Sequence, residues 1–137
     1  MMLLTQTHRV RLLRNGRNRD QDHAPVVKLF NPCGAVTWLF NALDPEDGDT
    51  LFGLADLGVG TPGLGVASLA ELAAVRGRWG LKLERDRHFR AQHPISVYTR
   101  AARAAGRIVE SGPELDAAAG VDTGSTTGVD TTTARAA

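Results

Sequence analysis

Two short connectors, "DPEDGD" (44–49) and "GVGTPG" (58–63), separate three apolar runs, and neither can hold a crossover helix. Strands joined by so little chain pair antiparallel, because a parallel return needs about a dozen residues or more. "AVTWLFNAL" (35–43) places Val36, Trp38 and Phe40 on one side and Leu39 on the other. That pattern suits a central strand covered on both faces, and a buried helix is the alternative that pattern alone leaves open. "LFGLADLG" (51–58) and "GLGVAS" (63–68) follow it, and the β-branched "VVKLF" (26–30) precedes it across the turn "NPCG".

"GVGTPG" also matches G-x-G-x-x-G, the dinucleotide fingerprint. That loop works when a helix begins within the motif, so that its first amides face a pyrophosphate. Here the next helix signal is Ser68, and Pro62 removes an amide donor. At 137 residues the chain is too short for paired βαβ units. The glycines are therefore expected to close a hairpin, and no cofactor is expected.

Three helices are predicted. Thr5 caps one near 5–14, with Val10 and Leu13 on one face and Asn15-Gly16 as a left-handed stop. Ser68 and Glu71 have capping-box spacing and open a second over 68–76, with Leu69, Leu72 and Ala73 inward. "LKLERD" (81–86) alternates like a strand with one wet face. Ser96 then caps a third helix over 96–109, with Val97, Ala101, Ala104 and Ile108 lining its inner face. The expected architecture is one α+β domain over residues 1–110, an antiparallel sheet of four or five strands packed with about three helices. Residues 111–137 are rich in Ala, Gly, Thr, Ser and Asp and read as a disordered, low-complexity tail.

No apolar stretch reaches the roughly 18–20 residues of a membrane helix, so no membrane partner is expected. The arginines after "MMLL" reverse the order of a secretory signal. The single Cys33 excludes an internal disulfide and suits a reducing cytoplasm, the expected location.

The net charge of +1 hides segregated blocks. Arg9, Arg11, Arg14, Arg17 and Arg19 come before any acid, whereas Asp44, Glu46, Asp47, Asp49 and Asp56 form an acidic block. Residues 76–107 are basic again, and "RGRWGLKLERDRHFR" sets Trp79 and Phe89 among them. Basic side chains attract phosphate and aromatic rings stack on bases. The candidate contact residues, for nucleic acid or a protein partner, are Arg76, Arg78, Lys82, Arg85, Arg87, Arg100, Arg103 and Arg107.

Complete catalytic sets are missing. Cys33 has no histidine near it in sequence to activate it, so it reads as an unreactive turn residue. Tested as an EF-hand starting at Asp44, the acidic block has Asp49 where glycine is required and Ala55 where the bidentate acid belongs. His88 and His93 lack the cysteine or paired acid of a zinc site, and no metal is expected.

The stretch from "VVKLF" through "GAVTWLF" and "LDPEDGDTLFGLADLGVGTPGLGVASLAELAAVRG" to "LKLERDRHF" resembles the bacterial domain-of-unknown-function family 2958. "LLTQTHRVRLLRNG" and "PISVYTRAARAAGRI" extend the resemblance over about residues 3–108. It implies the same strand–turn–strand–helix order and a setting on plasmids or near mobile-element genes. It supplies no activity, cofactor or catalytic residue.

The leading expectation is a non-enzymatic accessory protein of mobile DNA that binds a protein partner through its charged surfaces. The second is nucleic-acid binding through the basic 76–107 segment. The third is a small hydrolase or transferase using acids of 44–56 with His88 or His93. The oligomeric state is left open.

Overall fold

In the computed structural model, backbone is described for residues 3–124 and side chains for residues 3–120. The apolar runs become strands β1 (Val27–Phe30), β2 (Thr37–Leu43), β3 (Thr50–Asp56) and β4 (Gly63–Ser68). With β5 (Glu84–Arg85) they form one antiparallel sheet in the order β4-β3-β2-β1-β5. The helices are α1 (Gln6–Gly16), α2 (Leu69–Ala74), α3 (Ile95–Ala105) and α4 (Pro113–Gly124). No described helix is long and apolar enough to cross a membrane.

β2 is a strand with two buried faces, as its pattern predicts: Leu39 and Phe40, adjacent in sequence, are both buried. Phe40 and Leu43 join Leu12 of α1, Leu51 of β3 and Leu72 of α2 in one core. Leu39 and Leu54 join Tyr98 and Ala101 of α3 and Leu115 of α4 in the other. The sheet is thus the middle of three layers, with α1 and α2 on one side and α3 and α4 on the other.

Local chemistry sets the helix ends. Thr5 Oγ1 accepts from the His8 amide at 3.0 Å, and the Thr5 amide donates to His8 Nδ1 at 3.3 Å, a capping box that uses histidine. Helix α1 continues through Gly16, which is not left-handed as expected. Glycine is needed there for close approach, since a Cβ would lie 1.9 Å from the Leu43 carbonyl oxygen. Ser68 caps α2, accepting from the Glu71 amide at 3.2 Å, but no reciprocal Glu71 bond forms among the described residues; Asp49 supports the cap instead, accepting from Ser68 Oγ at 2.6 Å and from the Ala70 amide at 2.8 Å.

Three expected spans change. β5 is reduced to two residues, because a short 3-10 turn at Arg78–Gly80 precedes it and leaves Leu81 exposed. Helix α3 begins after Pro94, and its amide at Ser96 is capped by the distant Asp22 rather than by Ser96 itself. It stops at Gly106, whose φ of 77° is left-handed, so Ile108 lies beyond the helix; Ala104, within the helix, is exposed rather than on the inner face, which Tyr98, Ala101 and Ala102 form. The packed chain also continues past residue 110. Helix α4 buries Leu115 and Ala118 against α3, a correction to a tail expected from residue 111. Residues 125–137 of that expected tail lie outside the described residues.

"GVGTPG" is the β3–β4 hairpin connection, with Gly58 and Gly60 at φ of 80° and 88°. The buried Asp56 holds it, accepting from the Gly58 amide at 2.9 Å and the Ile108 amide at 3.0 Å.

Candidate functional site

The eight basic candidates do not form one face. Arg76 and Arg78 follow α2 on one side of the sheet, where Arg76 turns back onto the carbonyls of Ala73 and Val75. The Arg78 guanidinium lies 5.4 Å from the ring centre of Trp79, which is 80% exposed. Lys82 stands with Arg9 beside an apolar hollow floored by Leu72 and Leu83. Across the sheet, Arg100 donates to the Ala118 carbonyl at 3.2 Å and Arg107 lies 3.6 Å from Glu114, so both face α4. Arg103 is exposed on α3.

Arg85 and Arg87 are the pair that the fold concentrates. The Asp86 amide donates to the Lys28 carbonyl at 3.0 Å, which locks this segment onto the β1 edge. The Asp86 carboxylate then accepts from the His88 amide at 2.8 Å and pairs with Lys28 Nζ at 3.3 Å. Lys28 Nζ also reaches Glu110 at 2.6 Å. The Asp86 carboxylate is thereby engaged by the His88 amide and Lys28, and Arg85 and Arg87, its neighbours in sequence, line the same hollows. Arg85 Nη1 donates to the Leu3 carbonyl at 2.9 Å, which draws the start of α1 against the same edge.

The outcome is a hollow of about 290 Å³ bounded by His8, Arg85, Asp86, Arg87, Phe89 and Arg90, in which the one carboxylate, Asp86, is already engaged by Lys28 and the His88 amide. Guanidinium forks match the oxygens of carboxylate or phosphate, so this hollow is suited to an anion. Its field is visible at His8. Burial first, then the charges of Arg85, Arg11 and Arg90, hold that imidazole below its ordinary value.

His8 and Arg90 were missed among the sequence candidates. Arg90 closes the quoted "RGRWGLKLERDRHFR" and could have been included from its charge alone. His8 lies almost eighty residues earlier, and nothing local to it signals the meeting with Arg85.

The acids proposed for catalysis have structural duties. Asp44 accepts from the Glu46 amide, Asp47 from the Asp49 and Thr50 amides, and Asp49 caps α2. No described contact or hollow brings them to His88 or His93. Among the described residues no three His, Cys, Asp or Glu side chains are grouped to hold a metal ion.

The titrations give a testable pH dependence. His8 in the fold sits below 6.5, so the unfolded chain binds the proton more readily and stability falls as pH drops below 6.5. Asp86 is raised by burial, but the His88 amide and then Lys28 outweigh this and hold it below 3.8. Its contribution is present above 3.8 and is lost as pH falls through the folded value. Thermal unfolding should therefore show Tm declining in two stages on acidification. His8→Gln keeps a capping acceptor at that position and should remove only the first stage.

A family profile described as "Protein of unknown function (DUF2958)" matches residues 3–109. No curated protein and no solved structure matches the chain.

Proposed function

The chain belongs to the DUF2958 family, and from that premise we propose that it is a non-enzymatic binding module whose cationic hollow at the β1–β5 edge takes an acidic segment of a protein partner. The observation that carries this reading is the convergence of His8, Arg85, Arg87 and Arg90 on one hollow. Arg87 has no partner among the described residues, and Arg90 donates only to the carbonyl of its neighbour Phe89. A carboxylate docking on Arg87 and Arg90 gains charge-assisted hydrogen bonds. The hollow is short, and the other basic candidates are divided by the sheet, which favours a peptide acid over a long phosphate backbone. The same proposal includes a cytoplasmic location and the mobile-DNA setting that the family resemblance implies.

The test is a pull-down from a bacterial lysate with the full chain and its Arg87→Glu, Arg90→Glu variant. The wild type should retain a partner that the variant loses, with affinity for the identified acidic segment falling at least about tenfold, or roughly 1.4 kcal/mol. Equal retention by both proteins would sink the proposal. Binding should also raise the His8 pKa, read by NMR, because a carboxylate favours the imidazolium.

A second reading, nucleic-acid contact, is favoured by the exposed Trp79 beside Arg78. A base could stack on that indole. Gel shifts at low and moderate salt separate the two readings: nucleic-acid binding requires a complex at low salt that weakens steeply with salt and with Trp79→Ala.

A further inference from the structure

The two edges of the sheet are built differently. β5 closes one edge with two charged residues, Glu84 and Arg85, and is too short to recruit another strand. β4 closes the other edge with six residues, "GLGVAS", which carry no charge and no proline. Its register against β3 is continuous from Gly63 to Ser68, so no bulge twists the edge away. Leu64 is 55% and Val66 68% exposed. A Cβ added at Gly65 would meet nothing within 4 Å, so the face opposite Leu64 and Val66 is open at the middle of the strand, while on their own face they border a hollow shared with Arg19 and Ile95. Leu57 and Val59, in the hairpin that leads into β4, are also exposed large apolar side chains. The protected edge and the open edge belong to the same sheet, and exposed apolar surface gathers at the open one.

We propose that β4 pairs antiparallel with β4 of a second copy of this chain, continuing two five-stranded sheets into one. Symmetry restricts the register. Along an antiparallel ladder, hydrogen-bonded and non-bonded pairs alternate. A two-fold axis must therefore pass through a residue that faces its own copy. Centring on Leu64 would bring Pro62 opposite Val66, and proline cannot donate to a ladder. Centring on Val66 would oppose Leu64 to Ser68. Centring on Gly65 opposes Leu64 to Val66 of the second copy, and Val66 to its Leu64, all on one face. The other face receives only glycine at the centre, so nothing collides.

The chemistry of the edge favours a second copy over a charged peptide. The strand has no charge to select an acidic or basic partner, and its self-pairing creates no like-charge contact. A cation bordering that face, Arg19, has its guanidinium over the Phe52 ring at 3.5 Å. Phe52 lies one strand inward, opposite Val66. Two such strands would be three spacings apart, roughly 14 Å, which exceeds the screening length of about 8–10 Å in ordinary salt.

Sedimentation of the full chain from low to high micromolar concentration tests the proposal. A reversible dimer is expected, and Val66→Lys should yield a monomer with unchanged circular dichroism. Val10→Lys, an exposed apolar position on α1, should leave the dimer intact. On a Cys33→Ser background, Gly65→Cys should give a disulfide-linked dimer on mild oxidation, because facing Cα atoms in such a ladder lie about 4.5–5.5 Å apart. A chain that stays monomeric at the highest concentration overturns the proposal. So does a dimer that persists in Val66→Lys, and a dimer without the Gly65→Cys crosslink overturns its register.

Discussion

Gly53→Ala is expected to abolish the stable fold, with loss of the cooperative thermal transition and recovery of the protein mainly in the insoluble fraction. A Cβ at Gly53 would sit 2.1 Å from the Leu39 carbonyl oxygen and 2.7 Å from the Phe40 Cα. Both are backbone atoms of the central strand, so no side-chain rotation can relieve the overlap. Gly53 faces Phe40 where the β2–β3 register begins to shift, and the ladder resumes at Ala42 opposite Phe52. The omitted residue, Asn41, is held in place because its carbonyl accepts from Asn15 Nδ2 of α1 at 2.9 Å. Moving β2 away from a new methyl would therefore disturb the α1 interface and both cores, since Leu39 and Phe40 serve opposite sides. A cost above about 4 kcal/mol follows, in the range reserved for disrupted cores and comparable to the whole stability of a marginal domain. Gly63→Ala supplies the control: its Cβ would meet nothing within 4 Å, so a change within about 0.5 kcal/mol is expected. Equal solubility and melting of the two variants would refute the account.

Gly53 also shows where sequence reading reaches its limit. The fold class was legible because it rests on local signals. The two-sided apolar pattern of 35–43 and the brief connectors at 44–49 and 58–63 leave few arrangements, and the observed sheet uses them. Close approach of two backbones leaves no such signal: Gly53 looks like any glycine within a strand, and Gly16 like an ordinary helix stop. Helix α4 was hidden by composition. Its Ala-, Gly- and Asp-rich sequence carries one large apolar anchor, Leu115, whose burial depends on a surface presented by α3. The residues of the candidate site were visible as charges, but their grouping was not. Arg85 and Arg87 were joined to His8 by pairing of β5 with β1, whereas Arg100 and Arg107 turn to α4. Those are long-range facts that spacing along the chain does not encode.

The second large effect is expected at Asp56, which the sequence offered as one member of an acidic block. It is 7% exposed, and its two carboxylate oxygens have separate tasks. Oδ1 accepts from the Gly58 amide and fixes the start of the β3–β4 hairpin. Oδ2 accepts from the Ile108 amide, fifty-two residues away, just after α3 has ended at Gly106. The carboxylate thereby clamps the hairpin to the chain leaving α3, close to where Glu110 engages Lys28. Asp56→Ala removes both acceptors and leaves two amides without them, at a cost of about 1–3 kcal/mol each when water cannot fully replace the partner. A total loss of roughly 2–6 kcal/mol is expected by urea unfolding. Asp56→Asn should recover only part of this, because its amide nitrogen cannot accept from the second N–H. Hydrogen exchange distinguishes the clamp from a general loss of stability. Protection at Gly58 and Ile108 should fall more than protection in β2, whose bonds do not pass through Asp56. Uniform loss across the sheet would assign Asp56 a general stabilising role and remove the clamp.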